Sequence, residues 1–536
     1  MLPSMKYADK ITKSQQVKFG GLNRSVGAGD GELYDMRNLT GDHYPVLSVR
    51  AKRHLFRTLA KPGALFAWDR LCWIDGTDFY FDGKQKGQVT EGEKSFAALG
   101  AYLVIFPDKC YYNVDTDEFG SLESKWSGES LTFGDGTLYG ETAAANAIYK
   151  EGVSWADFFR VGDAVTIHGC EVNPGNNMSV IIRAMDGDQM YFYENTFILG
   201  ADGAAYTETG NLSIERAVPD LNFLCENENR LWGCTETTIY ACKLGDIFNW
   251  NVYDGLDTDA YAVDSGSAGA FTGCISYRGY PTFFKEDHIF KVYGSVPSNF
   301  EVLGSATLGL TEGGGGSLAI AGETLFYLSR NGVMAYTGGI PQPMGTVFGL
   351  DRFKKAIGGT DGLKYYVSMQ KTDNSWGLYV YDTQTGLWHM EDETQAIGFA
   401  RSKGNLYMLN SNGELWIVGN ASEVPAGTEA EESIPWMAEF CDFTDESPNR
   451  KGLSKLQIRL ELDPGATVNV WLQFDSDGQW HKVRQTLGEG KKRSCYLPIV
   501  PRRADHYRLR LTGAGGCRIF LLTREFYVGS ELRSNN

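Results

Sequence analysis

Thr324-Leu325-Phe326-Tyr327-Leu328-Ser329-Arg330-Asn331-Gly332-Val333-Met334-Ala335-Tyr336 reads as two short strands around a tight turn. Aromatic and β-branched residues suit a pleated, half-buried surface, and Asn-Gly supplies the positive φ that a two-residue hairpin turn favours. The cadence recurs. Ala64–Trp68 leads to Leu71–Gly76 and Phe79–Gly83, Phe223–Cys225 leads through Asn227-Glu228-Asn229 to Arg230–Cys234, and Leu378–Asp382 leads through Thr385-Gly386 to Leu387-Trp388. Units return after roughly 30–45 residues, the length of a propeller blade of four short strands. Candidate blades fall at 60–92, 94–126, 220–254, 270–303, 315–346, 358–392 and 395–419. The predicted fold is all-β: a β-propeller of about seven blades, with an inserted small β-barrel and a C-terminal β-sandwich.

Working outward, residues 1–58 have weak periodicity and read as an extended N-terminal arm. Blades occupy 59–145 and 216–425. The cadence breaks over 146–215, where Val161–Ile167, Ser179–Arg183 and Met190–Tyr193 predict the inserted β-domain. The acidic, Pro-containing run Val424–Glu432 is a linker or exposed loop. After it, 426–536 alternates strictly, as in Lys455-Leu456-Gln457-Ile458-Arg459-Leu460-Glu461-Leu462, which predicts a half-exposed antiparallel sheet. Helix is expected only over Leu350–Ala356, with one further turn at Ser154–Phe159.

The totals fit this class. The 536 residues are enough for several domains, and 64 Gly with 13% aromatics supply turns and strands. Net charge is −17, so the chain does not seek phosphate backbones. Ten cysteines include no Cys-x-x-Cys pair and mostly lie in apolar runs, which predicts reduced, buried thiols and folding in a cytoplasm. The first residues carry no apolar h-region, and no apolar run approaches about 18 residues, so neither a signal peptide nor a membrane span is expected.

Catalytic and metal motifs fail on spacing. Gly313-Gly314-Gly315-Gly316-Ser317 has no Lys to accompany a phosphate loop and reads as a flexible connection. The seven histidines are scattered, without zinc-site spacing. Asp475-Ser476-Asp477-Gly478 has its Gly too early for a calcium loop, and Thr486 stands where the bidentate Glu belongs, so it reads as a hairpin turn. Glu286-Asp287-His288 reads as a polar turn rather than an oriented base. Ser267, in Asp264–Gly269, lacks the buried strand and following helix of a nucleophile elbow. The expectation is no enzyme, no cofactor and no metal. Two basic spots stand out in the acidic chain: Lys491-Lys492-Arg493 and Arg502-Arg503, with Arg508 and Arg510 nearby. They are a candidate docking face for an acidic neighbouring subunit, weighed equally against a solvated strand face.

The blade ending Phe326–Gly339, and Asn227–Gly233 followed by Lys243-Leu244-Gly245-Asp246-Ile247-Phe248-Asn249-Trp250, resemble β-propeller virion proteins of tailed bacteriophages, of the tail-nozzle or packaged-DNA stabilisation type. Gly31–Leu39 is similar to proteins encoded in prophages of gut Firmicutes. The resemblance implies a structural virion protein in the tail, assembled in the host cytoplasm. It would form a nozzle, hub or adaptor ring of six copies beside portal or adaptor proteins, with DNA only in passage. The alternatives are a receptor- or glycan-binding tail protein using Trp471 and Trp480, and a propeller glycan hydrolase.

Overall fold

The computed structural model describes residues 11–137, 144–444, 449–500 and 502–528. Among them the strands form ten separate antiparallel sheets, and helix is confined to short 3-10 turns such as Trp155–Asp157. The all-β class is what the alternation and turn chemistry dictate. The seven stretches read as blades carry antiparallel meanders, but each is its own sheet, and none closes into a propeller. The seven-bladed propeller is therefore corrected. Turn spacing encodes hairpins, which are local, and says nothing about closure among sheets.

The chain divides into two compact units, 77–309 and 1–76 with 310–536. In the first, the expected barrel is instead an open seven-stranded sheet that starts at Ser124, not at 146. Its order runs from Ser179–Ile181 through Ala164–His168, Tyr206–Arg216, Ser124–Thr137, Ala144–Tyr149 and Gln189–Phe192 to Ala184–Asp186, and the two ends do not pair. Both end strands are three residues long, too short for a closing ladder. Trp126 and Trp155, 5.2 Å apart edge to face, anchor its buried cluster.

In the second unit, the segment read as an arm is woven into sheets. Ile11–Gln16 pairs with Cys517–Val528, Leu33–Arg37 with Pro435–Phe440, and His54–Thr58 with Glu414–Val418. Residues 1–10 of that reading lie outside the described residues. Two sheets share the main core of this unit. One holds Lys451–Leu462 between Cys517–Val528 and Lys492–Pro498; the other holds Thr467–Phe474 between Tyr507–Ala514 and His481–Leu487. Leu456, Ile458, Leu460 and Leu462 alternate into one buried cluster with Val468, Val470, Leu509 and Leu511. Burying each such side chain stabilises by roughly 1.5–3 kcal/mol.

Local chemistry explains the corrections in detail. Leu350–Ala356 is not helical: Phe353–Thr360 is a strand against Lys364–Lys371, and it continues into Gly358-Gly359, which a helix disfavours. Asn331 does not adopt positive φ. The loop is Arg330-Asn331, because Ser329 pairs with Gly332, whose φ is 108°. Glu228 and Asn229, at φ 50° and 60°, make the two-residue turn with positive φ at both centres. The Gly313–Ser317 loop is pinned. Ser317 is fully buried, its Oγ donates to Gly314 O at 2.6 Å and accepts from Leu328 N at 2.9 Å.

Candidate interaction face and polar sites

The charge asymmetry of the sequence falls on one part of the fold. Residues 451–528 hold fourteen Lys and Arg against seven Asp and Glu, a balance of +7, and the rest of the chain carries −24.

The five cations expected as one face are divided. Lys492 is registered opposite Glu461 and Arg503 opposite Gly452, nine residues apart on Lys451–Leu462. At roughly 3.3 Å per residue the two spots are about 30 Å apart.

The Lys491–Arg493 spot lies on a strand edge. Lys492–Pro498 ends the path of one core sheet and His481–Leu487 ends the path of the other, so among the described residues each leaves one side of its ladder unpaired. Residues 481–498 carry Lys482, Arg484, Lys491, Lys492 and Arg493, and Glu489 is their one acid, paired to Arg493. Lys492 Nζ stands 3.6 Å from the Phe520 ring centre, and Arg484 Nη1 donates to Tyr496 O at 3.4 Å. Leu487 and Tyr496 are 64% and 52% exposed, so the edge presents apolar as well as cationic groups.

Arg508 and Arg510 are spent internally. Arg508 donates to Glu439 and Asp442 at 3.0 Å each, and Arg510 Nε donates to Glu439 at 2.8 Å. Burial opposes the charge of Arg508, but the two carboxylates prevail and raise its pKa. The tryptophans considered for sugar stacking face the protein's own cations: Arg510 lies 3.9 Å over Trp480 and Lys482 lies 5.6 Å over Trp471.

The Arg502-Arg503 spot adjoins the Asp475–Gly478 turn. Arg502 is 3.6 Å from Asp477. Asp475 and Ser476 have φ of 50° and 51°, and the turn meets Asp505 and His506, which no local spacing could announce. Oxygen or nitrogen atoms of Asp475, Asp505 and His506 lie within 4.8 Å of one another, but both ring nitrogens of His506 are already hydrogen bonded.

The remaining sequence candidates are turns. His288 Nδ1 is 2.9 Å from Asp287 at the start of His288–Tyr293. The Ser267 run is held by buried Lys285, whose Nζ donates to Ser265 Oγ at 2.9 Å and Ser267 O at 2.8 Å.

One polar pocket had no sequence signal. It is lined by Asp42, Arg50, Lys364, Tyr366, His389 and Glu391 among others. Burial pushes His389 down to about 4, helped by the Lys364 charge, so its imidazole is neutral at pH 7, and its Nε2 has no partner. Burial would raise Asp42, but Lys364, ion-paired to it, holds it below the usual carboxylate range. Beside it, Arg50 donates to both carboxylate oxygens of Glu431 at 2.7 and 3.0 Å. The partners sit hundreds of residues apart, which is why the sequence could not show them.

No family model matches this chain, and no curated protein matches it. Solved structures give weak likenesses. BamB from Moraxella catarrhalis has a TM-score of 0.33 at 9% identity, over 70% of this chain and 99% of that one. The extracellular domain of a hybrid two-component system from B. thetaiotaomicron has a TM-score of 0.26 at 12% identity, over 89% and 81%. A structure of infectious bursal disease virus, Gx strain, has a TM-score of 0.15 at 7% identity, over 97% and 72%. All are too distant to fix fold or function. The likeness to tail-nozzle proteins of tailed phages is corrected by the fold: without a closed propeller the ring, nozzle and DNA conduit lose their basis.

Proposed function

We propose that this chain is a docking protein whose basic strand edge, 481–498, receives an acidic polypeptide segment. The supporting observation is the coincidence of two ladder edges, unpaired among the described residues, with five cations and one acid, in a chain that is acidic elsewhere. Unpaired N–H and C=O groups supply generic affinity for an added strand, and the cations select its sign and speed its arrival. Exposed Leu487 and Tyr496 give apolar contacts for alternate side chains of the incoming strand.

The test is fluorescence anisotropy of the full chain with two labelled peptides of alternating sequence, Glu/Val and Lys/Val. The Glu/Val peptide binds, more weakly at ~0.5 M salt. The combined variant Lys491→Glu, Lys492→Glu, Arg493→Glu weakens it about tenfold or more, and Arg502→Glu with Arg503→Glu weakens it less, because that spot lies past the opposite end of the edge. Equal binding of both peptides, or no effect of the first variant, overturns the reading.

A further inference from the structure

The two loops that meet beyond the end of the Phe474–Tyr507 register carry a second, independent feature. Ser476 Oγ lies 2.7 Å from His506 Nε2, and His506 Nδ1 lies 2.5 Å from Asp505 Oδ1. We propose that Ser476, His506 and Asp505 form a nucleophile, base and orienting carboxylate that accept the acyl group of a small, unhindered ester.

The geometry has the order of roles such chemistry needs. With Nδ1–H donated to Asp505, Nε2 keeps its lone pair and accepts the Ser476 proton. The arrangement is positioned by the ladder. Phe474 pairs with Tyr507, Asp475 N donates to His506 O at 3.1 Å, and Asp505 N donates to Asp475 Oδ1 at 2.8 Å. Ser476 itself sits at φ 51°, the left-handed conformation that lifts a side chain off a sharp turn. Ser476 is exposed and His506 partly so, which leaves the pair open to solvent-borne substrate.

The step balances without a cofactor. Ser476 Oγ forms a bond to the acyl carbon as its proton passes to Nε2, and the carbon–oxygen bond to the leaving group breaks. Nε2 then returns the proton to the departing oxygen. Water repeats the sequence, releasing the carboxylic acid and restoring Ser476. Ser476 and His506 are the catalytic residues, and Asp505 is a positioning residue.

The test uses the full chain with a fluorophosphonate probe, peptide mapping, and turnover of p-nitrophenyl acetate. Labelling is expected at Ser476. Ser476→Gly keeps the turn conformation, removes the hydroxyl, and abolishes labelling and the turnover above background. His506→Gln lowers turnover by roughly 10²–10⁴-fold. Asp505→Asn moves the rising limb of the pH–rate profile to lower pH, a shift that a merely structural role would not give. An unlabelled Ser476 in folded protein, or ester turnover unchanged in Ser476→Gly, overturns the proposal. Ester turnover and Glu/Val peptide binding are read separately on the same chain, so failure of the docking proposal and failure of this one are separable.

Discussion

Arg53 Nη2 stands 2.6 Å from Glu391 Oε2 across 338 residues of sequence, with both residues under a tenth exposed. Arg53 Nη1 also reaches Asp392 at 2.7 Å. Burial disfavours the guanidinium charge, but the two carboxylates outweigh it and raise its pKa. This pair fastens the N-terminal segment to the sheet that ends with Leu387–Asp392. Without Glu391, Arg53 keeps only Asp392 as a partner and one guanidinium arm is left buried without an acceptor, so Glu391→Ala should destabilise by about 1–3 kcal/mol. Thermal melts of the variant beside Arg53→Met with Glu391→Met check this. The double variant should recover part of the loss.

His389 should make this unit sensitive to acid. Its folded pKa is about 4, against an ordinary value of 6.5. The unfolded chain therefore binds a proton between those values and the folded chain does not. Stability is full above about pH 6.5 and falls as pH drops toward 4, by up to about 3 kcal/mol. Denaturation midpoints measured across this window should decline in the wild type and flatten in His389→Asn. A wild type with no slope there would refute the assignment.

Gly413 is needed for its backbone. Its φ is 85°, its N–H donates to Asn410 O at 3.0 Å, and an added Cβ would come within 2.2 Å of Leu59 O. Gly413→Ala should cost about 1–3 kcal/mol or more and loosen the neighbouring His54–Thr58 strand. Hydrogen exchange on that strand, compared with the wild type, tests the local effect.

The thiols should separate by accessibility. All ten cysteines are free, and Cys110, Cys274 and Cys495 are the partly exposed ones. Burial and the Asp108 charge push Cys110 up to about 11, and burial beside Cys225 and Cys234 raises Cys274 well above the ordinary thiol value. Iodoacetamide at pH 8 should label Cys495 first, and the seven buried thiols only on unfolding. Mass spectrometry of timed samples gives the order.

How much was legible in the sequence follows from which interactions are local. Strand alternation, as in Lys455–Leu462, and turn chemistry, as at Asn227–Asn229, depend on residues within one hairpin, so the all-β class and the meanders could be read directly. The loop centres on Arg330-Asn331, one residue before the Asn331-Gly332 dipeptide, because the partner register sets the centre. The charge bias toward 451–528 is a property of composition alone. Closure is not local. The sheets remain separate where a propeller and a barrel were expected, since cadence specifies which strands pair and not how sheets assemble. Tertiary structure likewise decided that Lys492 and Arg503 lie at opposite ends of one strand, that Arg50 and Arg53 meet acids from the far end of the chain, and that Asp505 and His506 fold onto the Ser476 turn. Each of these depends on long-range register, which side-chain sequence constrains only through the packing of the whole core.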